Sequence, residues 1–173
     1  MRNLEAKFRL DDLDLTRTRA EAIGFTYRAT LIQRDTFFAV PHGKLKLREE
    51  ASGAALIHYQ RSPEGVLELS DYAIVRVLDP AGLRAMLGAA LGIIAQVHKR
   101  RTLLLRDNIR VHLDEVEGLG SFGEIEAVIP ENTQAEAHRS AVDEILKTLR
   151  IAPDDRISVS YFELIRPRAE SRG

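Results

Sequence analysis

Charged residues occupy alternate positions in several short runs of this chain, with apolar residues between them. In the opening run Asn3, Glu5, Lys7 and Arg9 alternate with Leu4, Ala6, Phe8 and Leu10, and a period of two marks an extended strand whose faces differ. The same period carries Lys44, Lys46 and Arg48 in GKLKLRE, Tyr59 and Arg61 in IHYQR, and Lys99 and Arg101 in VHKRR. It returns with Arg110, His112 and Asp114 in IRVHLDEV and with Glu124 and Glu126 in GEIEAVI. Helical signals are confined to three places. Asp14 or Thr16 can cap a short helix that Gly24 closes, and Asp79-Pro80 starts a second, with the stripe Leu83, Leu87 and Leu91 and an end at Gly92. Thr133 and Glu136 form a capping box for a third, which runs through Ala137, Val142, Ile145, Leu146 and Leu149.

PHGK, Ser52-Gly53, SPEG and Asp107-Asn108 supply turns between the strand runs, and GLGSFG reads as a flexible connection into the last of them. ISVSYFELI fits strand or helix equally, and RPRAESRG, residues 166–173, reads as a frayed tail. The pattern predicts an α+β fold: an eight-stranded antiparallel β-barrel, closed or nearly closed, with helices packed outside, in a single domain over residues 1–165.

So many charges at strand period must be either a solvated face or the lining of a wet cavity. Acids and bases are segregated by strand, where a salt-laced surface would interleave them. Segregation suggests a polyanion held by the bases and a divalent cation held by the acids. Oxygen donors without cysteine and with few histidines favour Mg²⁺ or Mn²⁺ over zinc.

Composition narrows the setting. The chain has 173 residues with 25 basic and 26 acidic side chains and a net charge of −1, so its bulk charge calls for neither nucleic acid nor an anionic membrane. It contains no cysteine, which excludes disulfides and thiol chemistry. The N-terminus lacks a signal-peptide core, and no stretch approaches the roughly 18 apolar residues of a membrane span. A cytoplasmic protein is expected.

The motifs NxExK, KLKLRE, VxKxR, HLDxVxGLG and ExE follow one another in order from Asn3 to about Leu164. In that order they resemble the CYTH superfamily, the triphosphate tunnel metalloenzymes, and are similar in particular to its class IV adenylyl cyclase branch. The resemblance implies a tunnel that binds a triphosphate with Mg²⁺ or Mn²⁺. It implies Glu5, Glu124 and Glu126 as metal-coordinating carboxylates with Asp114 near the metal. Lys7, Lys46, Arg48, Arg61, Lys99 and Arg101 would hold phosphate oxygens, and Glu5, Lys7 and Arg101 would be the catalytic groups. Arg110 shares a face with His112 and Asp114 and can reach the same tunnel. Asn3 stands where the family motif has its first glutamate, which removes one negative charge from the metal shell and implies weaker metal binding or one ion where relatives hold two.

Plainer readings stand beside these. Lys44 and Arg100 read as exposed charges, and His112 as a strand residue. Gly118, Gly120 and Gly123 permit a tight turn, while Phe37, Phe38, Leu45 and Leu47 belong to core or to a helix-facing surface. Ser70, Tyr72 and Tyr59 can hydrogen-bond a ligand. On function, cyclisation of ATP to cyclic AMP and pyrophosphate comes first. The alternatives are hydrolysis of tripolyphosphate, thiamine triphosphate or a nucleoside triphosphate, and polyphosphate or nucleotide binding without turnover. The oligomeric state stays open, a homodimer included.

Overall fold

Eight long strands form where the alternation places them, in a computed structural model that describes residues 2–64, 67–130, 133 and 136–165. They are β1 (Arg2–Arg9), β2 (Thr26–Phe38), β3 (Lys44–Glu50), β4 (Gly53–Glu64), β5 (Leu67–Val77), β6 (Ile93–Arg106), β7 (Ile109–Val116) and β8 (Gly120–Ile129). Antiparallel pairing runs β5-β4-β3-β2-β6-β7-β8-β1, and β1 also pairs with β5, so the sheet closes on itself. Closure removes both edges and divides every strand into an inward and an outward set of side chains.

The two sets bury different things. On the outer face Leu4, Ala6 and Phe8 of β1, Val111 and Leu113 of β7, and Ile125 and Ala127 of β8 form the main core. The helices α1 (Leu13–Ala22) and α3 (Glu136–Thr148) cover it with Ala20, Val142, Ile145 and Leu146, joined by Leu149 just past the end of α3. A second apolar cluster contains Phe37, Tyr59, Val97, Val116 and Phe122 with Tyr161 and Phe162 of α4 (Tyr161–Ile165). It seals one end of the barrel, and the inward charges lie beyond it.

Local chemistry explains the departures from expectation. Asp12, and not Asp14 or Thr16, caps α1 by accepting from Leu15 N at 2.8 Å. Asp79 caps α2 (Pro80–Leu91) as expected, but none of that helix is buried, and Leu91 is exposed. GLGSFG is mostly strand: β8 starts at Gly120, and Gly123 pairs with Leu113. A Cβ on Gly123 would meet the Phe8 ring at 2.1 Å, so close packing of β1 on β8 is what requires glycine there. Around SPEG, β4 continues through Ser62 and Pro63 to Glu64, and residues 65–66 lie outside the described ones. The ambiguous tail segment holds both structures. Its β9 (Arg156–Ile157) pairs with β1, and then Ser160 starts α4, with its backbone N–H donating to Glu163 Oε2 at 2.7 Å. The tail at 166–173 lies outside the described residues. Among the described residues no helix is long and apolar enough to cross a membrane.

Candidate functional site

Strand parity brings Glu5, Lys7, Lys46, Arg48, Arg61, Lys99, Arg101, Arg110, Glu124 and Glu126 to one cavity of about 510 Å³ inside the barrel. The cross-strand registers set their levels. Glu5 lies opposite Glu126 and Lys7 opposite Glu124 across β1 and β8, and His112 lies opposite Glu124 across β7 and β8. This is an acidic edge spanning adjacent strands. The facing wall, from β3, β2 and β6, carries Lys46, Arg48, Lys99 and Arg101. The sealed end holds the aromatic cluster. Toward the other end the lining turns to Leu31, Leu103, Ile74 and Arg110, with Ile74 exposed and the Arg110 side chain 41% exposed, which makes this end the mouth.

Each carboxylate of the acidic edge touches a base. Glu124 Oε1 accepts from Lys7 Nζ at 3.0 Å and its Oε2 from Arg101 Nη2 at 2.9 Å, while Glu126 Oε2 accepts from Arg110 Nη1 at 3.2 Å. Glu5 Oε2 lies 3.0 Å from Arg61 Nη2 without a directed hydrogen bond, and His112 Nδ1 is likewise buried with none. Burial and the neighbouring Glu124 charge push Glu5 up to about 7. Glu124 itself is held well below the usual carboxylate range, because Lys7, the His112 ring 3.5 Å away and Arg101 together outweigh its burial. Burial and the Arg101 charge lower His112 and so favour its neutral form. Asn3 donates from Nδ2 to Glu126 Oε1 and accepts from the Tyr72 hydroxyl at 3.3 Å. The amide therefore steadies a neighbouring carboxylate, which a glutamate at this position could do only if protonated.

Glu5, Glu124 and Glu126 fit a hard divalent cation in kind: three carboxylates on two adjacent strands, one of them short of compensating charge. They do not yet converge on one point. Among the described residues no three of these donors are arranged to hold an ion, since each is turned to its base. Asp114, expected near the metal, stands apart from the cavity lining. It is fully buried, forked by Arg101 at 2.7 and 2.6 Å, and bonded by the Tyr161 hydroxyl at 2.9 Å.

Asp35 and Tyr161 stand among the site residues that the sequence reading missed. Asp35, in β2, lies among Lys46, Arg48 and Lys99; it shares a face with Gln33, but only the register with β3 shows which bases it meets. Tyr161 closes the inner end with Lys7 and Lys99 over its ring at 4.7 and 5.1 Å, and the Ser160–Glu163 capping box was the signal that could have placed it on a helix. Lys44, expected to be exposed, instead tethers α4 through Glu163 at 2.9 Å. Phe38 and Leu47 are buried with outward parity, whereas Phe37 belongs to the inner cluster.

Comparison with known proteins agrees with the barrel fold. A protein from Methanocaldococcus jannaschii, provisionally named an adenylate cyclase, is 25% identical over 173 residues, covering 95% of this chain and 98% of that one. A protein of solved structure from Pyrococcus horikoshii superposes with a TM-score of 0.86 at 21% identity, over 95% of this chain and 99% of that one. A Hippeastrum protein, provisionally an adenylyl cyclase and described as having a dominant triphosphatase activity, superposes with a TM-score of 0.64 at 18% identity, over 95% of each chain. At these identities the two solved structures bear on the fold alone. The family model of the CYTH domain matches residues 1–161, and the chain belongs to the CYTH domain family.

Proposed function

We propose that this protein is a divalent-metal-dependent enzyme acting on a triphosphate, and that its reaction is the class IV adenylyl cyclase type, converting ATP to cyclic AMP and pyrophosphate. The observation that carries the reading is the convergence of the strand-parity charges on one cavity, acids on one edge and bases on the facing wall. Such a wall neutralises charge on transferring and leaving oxygens, which is most of what phosphoryl chemistry asks of a protein. The mouth supports an organic substrate over an inorganic one: Leu31, Leu103 and Ile74 give apolar contact that a bare polyphosphate cannot use. The relative named for adenylate cyclase, alignable over nearly its full length, supports the choice of reaction.

In this reading the sealed end takes the terminal phosphates. Lys46, Arg48, Lys99 and Arg101 hold them, with Arg61 and Lys7 completing the ring, and Arg110 stands at the mouth. Glu5, Glu124 and Glu126 would hold Mg²⁺ or Mn²⁺, and Asp114 would act at one remove by fixing Arg101. A bound divalent cation supplies Lewis acidity that eases both attack and departure. The ribose 3′-hydroxyl oxygen bonds to the α-phosphorus, the bond to the bridging oxygen breaks, pyrophosphate leaves, and the hydroxyl proton passes to water. Holding those two atoms in line is the main service of the walls. Water aligned on the terminal phosphorus would give hydrolysis at the same site. Incubating the purified protein with Mn²⁺ or Mg²⁺ and either ATP or tripolyphosphate, then separating the products, tests the proposal. Cyclic AMP with equimolar pyrophosphate is expected. Phosphate alone would replace cyclisation with hydrolysis, and no product from either substrate would overturn the enzyme reading.

A further inference from the structure

Two buried carboxylates hold the basic wall, and they do so in the same way. Asp114 is forked by Arg101 through Nε and Nη2. Asp35, only 2% exposed, is forked by Arg48 through Nε and Nη2, both at 2.7 Å, and its Oδ2 also accepts from Lys46 Nζ at 3.2 Å. Lys99 stands between the two, 3.9 Å from Asp35 and 3.6 Å from Asp114. The four bases of the wall are thus tied to two acids, with one lysine shared.

The geometry points to Asp35 as a positioning residue that fixes Arg48 and Lys46 as a pair and so sets the shape of the inner phosphate-binding wall. The inference rests on the reading of the cavity as a triphosphate site. Three considerations favour positioning over the other roles a buried aspartate could have. Metal ligation is poorly served, because Arg48 already takes both oxygens and Lys46 and Lys99 crowd Oδ2. A purely structural ion pair would not need to face the cavity, yet Asp35 lines it. Repulsion of the incoming anion is the obvious counter-effect of a carboxylate there, but Asp35 also supports the charges that attract the anion. Burial first, then the Arg48 charge, lowers Lys46 to about 8, with Arg101 adding to the fall and Asp35 opposing it. The rings of Phe37 and Tyr59, 5.7 and 5.4 Å from its Nζ, complete its surroundings. Without Asp35, Lys46 sheds its proton at lower pH, and Arg48 loses the fork that aims it.

The two electrostatic effects predict opposite outcomes, so one substitution decides between them. Removing a negative charge next to an anion site tightens binding if repulsion dominates. It weakens binding, and more at high pH, if positioning and proton support dominate. Tripolyphosphate binding measured by calorimetry with Mg²⁺ at pH 6.5 and 8.5 for wild type, Asp35→Asn and Asp35→Glu reads this out. Asp35→Asn is expected to raise Kd roughly tenfold at pH 8.5, the scale of one lost charge-assisted contact, and by less at pH 6.5. Asp35→Glu keeps the charge and should recover the wild-type pH dependence while binding more weakly at both values. Unchanged or tighter binding by Asp35→Asn overturns the inference and leaves the cavity reading standing. A wild-type protein that does not bind tripolyphosphate removes the cavity reading and this inference with it. If Asp35→Asn does not fold, Asp35→Glu decides: weaker binding on a folded barrel upholds the inference, and wild-type affinity overturns it.

Discussion

Replacing Lys46 with methionine should make the metal-free protein more stable at neutral pH while weakening its grip on triphosphate. The Lys46 side chain is 14% exposed and lies 3.2 Å from Asp35. Burial, with the Arg48 charge added, brings its ammonium from an ordinary 10.5 down to about 8 in spite of Asp35. A difference of that size corresponds to about 3 kcal/mol, at about 1.4 kcal/mol per pH unit, a ceiling because a charged interior relaxes. The sign follows from proton counting. Below pH 8 the folded and unfolded chains both carry the charge, and the fold bears its whole cost. Between about 8 and 10.5 the unfolded chain binds more protons, so stability rises with pH. Methionine fills similar volume with no charge, and Asp35 keeps its fork from Arg48. Urea unfolding at pH 7, 9 and 10.5, without metal or phosphate, should show the variant more stable by up to about 3 kcal/mol at pH 7. Its advantage should shrink toward zero at pH 10.5. A variant less stable than wild type at pH 7, or one with the wild-type pH slope, would refute the reasoning.

Arg48→Ala and Arg101→Ala should each weaken tripolyphosphate binding by roughly 10- to 100-fold, as expected for contacts to a charged ligand, whereas Lys44→Ala, whose partner is Glu163, should change it less than about twofold. Calorimetry on all three separates the assignments, and equal losses would contradict them. Glu124→Ala and Glu126→Ala should each weaken Mg²⁺ or Mn²⁺ binding on a barrel whose circular dichroism is unchanged; metal titrations indistinguishable from wild type would return both glutamates to the role of ion-pair partners. Asn3→Glu should lower the metal concentration for half-saturation at fixed substrate, because it adds a carboxylate beside Glu126. An unmoved half-saturation would place Asn3 outside the shell.

The legible part of this molecule is what a period of two encodes. Lys46 and Arg48, Lys99 and Arg101, and Glu124 and Glu126 share a face because side chains alternate, and apolar neighbours such as Leu47, Ile125 and Leu4 fix which face turns outward. Level along the barrel axis is not encoded that way. Asp114 has inward parity, yet its place in the barrel sets it behind Arg101 and under Tyr161. Depth of that kind depends on the pairing of all eight strands. Asp35 escaped for a related reason: one acid in TLIQRDTFF acquires a role only when β3 supplies Lys46 and Arg48 beside it. The C-terminal segment was hard to read because its few residues hold a strand, a cap and a helix in turn. There the capping box is a better guide than periodicity.

The charge network also explains how a barrel can carry such an interior. Buried charges are tolerated only when compensated, and here the acids and bases compensate one another across the cavity: Glu124 with Lys7 and Arg101, Glu126 with Arg110, Asp35 with Arg48 and Lys46. A triphosphate with its divalent cation presents the same two signs in the same arrangement. On the proposed function, phosphate oxygens would take over the bases while Glu5, Glu124 and Glu126 turned to the metal, so that neither set would be left unpaired. Asp114 and Asp35 lie on the other side of that exchange. Arg101 forks Asp114 behind the lining and Arg48 forks Asp35 within it, and burial that would raise both carboxyls is outweighed by those cations, which hold them well below the usual range. An acid that stays ionised against its arginine through the exchange keeps the wall in shape while its other contacts change. On the proposed function the labour divides between three exchangeable glutamates and two fixed aspartates, which is how inward carboxylates would serve a polyanion site.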